Sequence, residues 1–89
     1  MASSFTVKLT PSFVRDLESL PASAQKNILE AVKRLGTKPL GPPPAIKKLK
    51  GKGDGQWRLR VGVYRVRYDV VHQDVVLYRV RDRKDIYRD

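Results

Sequence analysis

Residues 4 to 9, "SFTVKL", alternate loosely between apolar and polar and contain strong strand formers, which predicts a first strand ending at Thr10. The period then changes. Phe13, Val14, Leu17 and Leu20 recur at helical spacing, behind Thr10 as a capping residue and Pro11 at the first helical position, where its missing N–H costs nothing. "LPAS" opens a second helix whose apolar stripe is Ala24, Ile28, Val32 and Leu35, with Gly36 placed for a left-handed cap. The two helices are expected to form a hairpin. "TKPLGPPP" stops regular structure, because proline supplies no donor and pushes the preceding residue out of the helical region.

Beyond the prolines the period is two. "AIKKL" predicts a short strand, and "KGKGDG" is turn chemistry that predicts a mobile basic loop. Trp57, Leu59 and Val61 share one face, which turns Arg58 and Arg60 to the other. In the next strand Tyr64, Val66, Tyr68 and Val70 alternate with Arg65, Arg67 and Asp69. After a turn near "HQD", Val76, Tyr78 and Val80 are expected on the apolar side, and Arg79 and Arg81 opposite. The order is strand, two helices, then sheet. It predicts an α+β fold of two layers, with an N-terminal strand and a helical hairpin packed on a mainly antiparallel, twisted sheet. A boundary at the prolines would leave a second part of fewer than about 50 residues, marginal without metal or disulfides, so residues 1–89 are expected to be one domain.

Charge sharpens this picture. Nineteen Lys and Arg stand against nine Asp and Glu, a formal charge of +10 with a pI near 10.3. Such an excess repels itself and attracts anions, nucleic acid first among them. A membrane is the weaker candidate, since the longest apolar run, Val75 to Tyr78, falls far short of the about 20 residues needed to span one. The N-terminus lacks a secretory pattern and the chain has no cysteine, so cytoplasmic residence is expected. The arginine face carries the sharper information. Like charges opposite one another cost a few tenths to about 1 kcal/mol a pair, so a merely solvated face should mix signs, and here only Asp69 offers a counter-charge. Arginine suits phosphate because its planar fork donates two hydrogen bonds and stays charged. A polyanion-binding face therefore outweighs a solvated or partner-covered one.

Candidate chemistry is sparse. No phosphate-binding glycine loop opening a helix is present, which argues against NTP hydrolysis. His72 lies in a turn and reads as solvated. Asp82 and Asp85 lie amid arginines and read as charge partners, which disfavours a metal-dependent nuclease; neither metal nor cofactor is expected. Tyr64, Tyr68 and Tyr78 fall on the apolar face, while Tyr87 stands beyond the last strand, where it packs as a terminal aromatic or reaches the arginine face. A free tyrosine, pKa about 10, is ionised to about one part in a thousand at neutral pH, and nearby guanidinium groups lower that pKa. Arginines can thus hold a phosphate and activate a base together.

The order of elements, "KLKGKGDGQWRLRVGVYRVRYDV" and the following "VRDRKDIY" resemble the RelE branch of the RelE/ParE toxin superfamily over nearly the whole chain. The "RLRVGVYRVRY" hairpin and the spacing of Arg83 and Tyr87 are the most specific parts. The resemblance implies a microbial RNase-like fold and a ribosome-dependent mRNA endonuclease, cutting in the ribosomal A site by metal-independent attack of a ribose 2′-hydroxyl. It implies Tyr87 as general base, Arg65 and Arg83 stabilising the phosphate oxygens, and Arg58 and Arg60 binding substrate and neutralising the leaving oxygen. Arg67, Arg81, Lys50 and Lys52 join the substrate-binding set. Asp82 stands where many relatives have histidine. The implied partners are a cognate antitoxin and the ribosome with its mRNA and rRNA, with promoter DNA reached only through the antitoxin and no membrane. The rival readings are a ParE-type gyrase inhibitor without RNA chemistry and a non-catalytic RNA-binding module.

Overall fold

The computed structural model describes residues 5–39, 41, 45–49 and 55–86, with side chains followed as far as Lys84. Strand β1 (Thr6–Leu9) leads into helix α1 (Pro11–Glu18), helix α2 (Ala22–Leu35) and strands β2 (Ile46–Lys48), β3 (Trp57–Val61), β4 (Tyr64–Val71) and β5 (Asp74–Asp82). A short helix, α3 (Arg83–Ile86), follows. The five strands form one sheet in the order β1-β5-β4-β3-β2, antiparallel except for the parallel pairing of β1 with β5. The expected α+β architecture is therefore present. No helix among the described residues is long and apolar enough to cross a membrane.

Thr10 works as expected and does more besides. Its hydroxyl accepts the N–H of Phe13 at 3.2 Å, capping α1, and donates to the carbonyl of Leu77 at 2.8 Å, so the start of the helix is fixed to β5. Phe13 and Leu17 of α1, and Ala24, Ile28, Ala31, Val32 and Leu35 of α2, are buried against Ile46, Leu59, Val66, Tyr68, Val75, Leu77 and Val80 of the sheet. Trp57, Val61, Tyr64 and Val70 pack around this core, so the parity expected for β3 and β4 holds.

Two expectations fail. Gly36 keeps right-handed helical backbone, φ −63°, and donates its N–H to the Lys33 carbonyl, while its own carbonyl accepts the N–H of Phe5. The helix end is satisfied by the strand that precedes β1's pairing, which removes the need for a left-handed cap. In β5 the apolar side is Val75, Leu77 and Val80, whereas Val76 and Tyr78 are only half-buried. The register explains it: Arg67 faces Arg79 and Tyr68 faces Leu77, which leaves Tyr78 as the extra residue of a bulge. "VVLY" is an unbroken apolar run without alternation, so its phase was not fixed by the sequence. The bulge restores the phase at Val80 and keeps Arg79 and Arg81 on the arginine face.

Candidate nucleic-acid interface

The cross-strand register lines the basic residues into two rows. Lys47, Arg58, Arg67 and Arg79 are successive partners across β2, β3, β4 and β5; Arg60, Arg65 and Arg81 are partners across β3, β4 and β5. Adjacent strands lie roughly 4.8 Å apart, so a sheet carrying these rows unrelieved would be heavily penalised. The side chains show how the penalty is met.

Arg65 is only 6% exposed, and its Nη1 donates to the carbonyls of Gly62 (2.8 Å) and Tyr64 (2.9 Å). Both acceptors belong to the β3–β4 turn, where Gly62 adopts φ +59°, a conformation that suits glycine. Arg67 donates from Nη2 to the Gly55 carbonyl at 2.8 Å. Gly55 has φ +99°, and a Cβ there would stand 2.5 Å from the Tyr68 carbonyl oxygen, so β4 and the residue entering β3 approach as closely as only glycine permits. Arg79 makes a two-pronged bond to Asp16 of α1, Nε to Oδ2 at 2.7 Å and Nη2 to Oδ1 at 3.1 Å. Arg60 is exposed, and Arg58 and Arg81 are half-buried. Arg65, Arg67 and Arg79 are thus tied to backbone carbonyls or a carboxylate, while Arg60 is turned toward solvent.

The counter-charge expected from Asp69 is used differently. Its Oδ1 accepts the N–H of Gln56 at 2.8 Å, fixing the entry to β3. Asp16, which sequence reading passed over, is the acid that pairs with Arg79. A signal was present: Asp16 stands three residues after Phe13 and four before Leu20, inside the apolar stripe of α1, where an acid is out of place unless it has a partner. Burial raises its pKa, but the hydrogen bond from Arg79, the Val80 N–H and the charges of Arg79 and Arg81 outweigh that, and the carboxyl is held below its ordinary value.

At the other end of the rows, α3 brings Arg83 to the same turn that Arg65 clasps. The Arg83 N–H donates to the Val63 carbonyl at 2.7 Å, and Asp82 accepts the N–H of Lys84 at 2.9 Å, capping the short helix. Asp82 is therefore a helix cap rather than a simple charge partner of the arginines. The Arg65 guanidinium and the Arg83 backbone thus bond the same turn, with Arg60 and Arg81 flanking Arg65 in its row and the Arg83 side chain exposed. Tyr87, Lys50 and Lys52 lie outside the described residues. Tyr68, expected in the core, is fully buried, donates to the Pro39 carbonyl at 2.5 Å, and has its pKa pushed well up by burial. It has no access to a substrate. His72, in the β4–β5 turn, is exposed with φ 55°, as fits a solvated turn residue.

This arrangement can bind phosphates along an edge of arginines and concentrate positive field around Arg65. The chain and its fold are similar to those of known proteins. The chain is 32% identical over 87 residues to the RelE1 protein of Methanocaldococcus jannaschii, covering 94% of this chain and 96% of that one. Its structure resembles the toxin-antitoxin complex RelBE2 of Mycobacterium tuberculosis, with a TM-score of 0.77 and 30% identity over 89% of this chain and 98% of the matched one. It also resembles the RelE–RelB complex of Pyrococcus horikoshii, with a TM-score of 0.74 and 28% identity over 97% and 99% of the two chains. The family described as the ParE toxin of the type II toxin-antitoxin system, parDE, matches residues 7–87, and the chain belongs to it as a toxin of the RelE/ParE type.

Proposed function

We propose that this toxin is a ribosome-dependent mRNA endonuclease, held inactive by a cognate antitoxin of the RelB kind found with its structural relatives. The observation that carries the reading is the row Arg60–Arg65–Arg81, whose buried Arg65 guanidinium is fixed by the Gly62 and Tyr64 carbonyls, with Arg83 anchored through its backbone N–H to the same turn. Transesterification by a 2′-hydroxyl builds negative charge on the phosphate oxygens, and fixed positive charge in a poorly solvated corner stabilises that charge without reorganising. Arg65 supplies such charge from beneath, its orientation set by the turn carbonyls. Arg60 and Arg58 bind the substrate and neutralise the leaving oxygen; arginine does so as a charge, because it does not release its proton near neutral pH. Arg81, Arg67, Lys50 and Lys52 extend the phosphate contacts. Tyr87, four residues from Arg83 in the sequence, is the general base, a role that a neighbouring guanidinium group would favour by stabilising phenolate. The ribosome presents the codon in line, which supplies the orientation that a domain of this size cannot impose on single-stranded RNA.

The test is primer extension on a defined mRNA, with and without programmed ribosomes, comparing wild type with Tyr87→Phe. Cuts within the A-site codon that need ribosomes are expected, falling at least 10²-fold in the variant, the usual weight of a general base. The match to the ParE family supports one second reading, gyrase inhibition by the same fold. Intact message together with loss of supercoiling activity would move the assignment there. Intact message and unaffected gyrase would leave the arginine face as a passive RNA-binding surface.

A further inference from the structure

Arg79 belongs to the arginine rows by register but not by chemistry. Its guanidinium is drawn to the edge of the sheet, where both oxygens of Asp16 take its Nε and Nη2, and where Oδ2 also accepts the N–H of Val80 at 3.1 Å. β1 pairs with β5 only from Asp74 to Leu77, so Val80 lies on the part of the edge that β1 does not cover. Asp16 closes that edge from α1. Its side chain is 17% exposed and the arginine's 30%, so the pair is partly withdrawn from water and weakly screened. Asp16, Arg81 and Asp82 also line a common recess, so this carboxylate reaches the end of the second row as well.

We infer that Asp16 is a positioning residue of the polyanion-binding face: it withholds Arg79 from phosphate and confines the nucleic acid to the Arg60–Arg65–Arg81 row and its neighbours. The inference rests on the proposed reading of the arginine face. The physical reason is a competition between fixed and incoming anions. A phosphate arriving at Arg79 must displace a carboxylate already bonded through two nitrogens and held in place by a backbone N–H. A phosphate arriving at exposed Arg60 displaces mobile counterions, whose release favours binding. The face therefore presents fewer phosphate contacts than its arginine count suggests, and the negative charge at the β5 edge marks where the track ends.

Salt dependence reads this directly, because each phosphate neutralised on single-stranded RNA contributes about 0.7 to the slope of log affinity against log salt. A fluorescent single-stranded RNA oligonucleotide is titrated with the full-length toxin between about 50 and 200 mM salt, where one contact amounts to roughly a 2.5-fold change in affinity. Arg60→Gln serves as the control for the face and is expected to flatten the slope by one contact. Arg79→Gln is expected to leave the slope unchanged. Asp16→Asn, which keeps the acceptor for Val80 but removes the charge, is expected to steepen the slope by one contact, and Asp16→Asn with Arg79→Gln to restore it. A purely structural role for Asp16 would lower the melting temperature and leave the slope where it was.

Circular dichroism melts establish that each variant is folded at the assay temperature. If Asp16→Asn is not folded there, Arg79→Gln against Arg60→Gln decides alone. Equal flattening by Arg79→Gln and Arg60→Gln overturns the inference about Asp16 while sparing the face. No flattening by Arg60→Gln removes the polyanion-binding reading itself, and the inference with it.

Discussion

Tyr68 shows how much one side chain carries. Its ring fills the centre of the core, its hydroxyl reaches out of the sheet to the Pro39 carbonyl, and its own backbone approaches Gly55 too closely for any side chain there. The hydroxyl is thus the tie between the sheet and the chain that follows α2. Tyr68→Phe preserves the packing but strands a buried carbonyl, and a loss of about 1–3 kcal/mol is expected, read as a lower urea midpoint with unchanged m. RNA binding by the folded variant should be unaltered, because this tyrosine faces away from the arginine rows. Arg65 illustrates the complementary case. A buried guanidinium is costly unless its donors are used, and the carbonyls of Gly62 and Tyr64 both take its Nη1, which offsets part of that cost and holds the charge in place.

The contact between α1 and β5 is electrostatic as well as apolar. Phe13 and Leu17 bury the inner face of α1, Thr10 bonds the Leu77 carbonyl, and Asp16 bonds Arg79 and Val80. The pKa of Asp16 is lower in the folded chain than in the unfolded one, so the unfolded state binds the extra proton first as pH falls. Its contribution is therefore fully present above the unfolded aspartate pKa of about 3.9 and is lost as pH drops from there through the folded value. In thermal melts from pH 7 to pH 3, the advantage of wild type over Asp16→Asn should stay constant above about pH 5 and shrink below about pH 4. An advantage undiminished at pH 3 would mean that the carboxylate's charge adds nothing to the joint.

At the scale of the molecule, a net charge of +10 on 89 residues sets the balance between stability and function. The rows of arginines repel one another across β3, β4 and β5, and the described ion pairs, Lys8–Asp74 and Arg79–Asp16, relieve only part of that. Added salt screens the repulsion more than it weakens a partly buried pair, because exposed charges feel the ionic atmosphere most. The melting temperature is therefore expected to rise from low ionic strength to about 0.15 M NaCl, by roughly 4–8 °C for each kcal/mol of repulsion removed. A falling melting temperature would assign more weight to the ion pairs than to the field. Under the proposed function, a polyanion bound to the rows would relieve this repulsion and stabilise the fold by mass action.

Local period and local residue type specified a large part of the fold. Thr10 and Pro11 mark the start of α1, the stripes of α1 and α2 mark their buried faces, and strict alternation in β3 and β4 fixes which side each arginine takes. The "RLRVGVYRVRY" hairpin and the Arg83–Tyr87 spacing carried the family, because they combine charge and period in a way few folds need. The remaining features follow from contacts between residues far apart along the chain. The phase of β5 depends on a bulge at Tyr78, since four apolar residues in a row satisfy either phase until β4 and Thr10 select one. The end of α2 depends on Phe5, more than 30 residues away, whose N–H meets the Gly36 carbonyl. The pairing of Asp16 with Arg79 spans 63 residues, and no periodicity reports a contact at that separation. Charge and spacing along the chain say which side of a sheet an arginine occupies; only the folded contacts say whether its guanidinium meets a carbonyl, a carboxylate or an incoming phosphate.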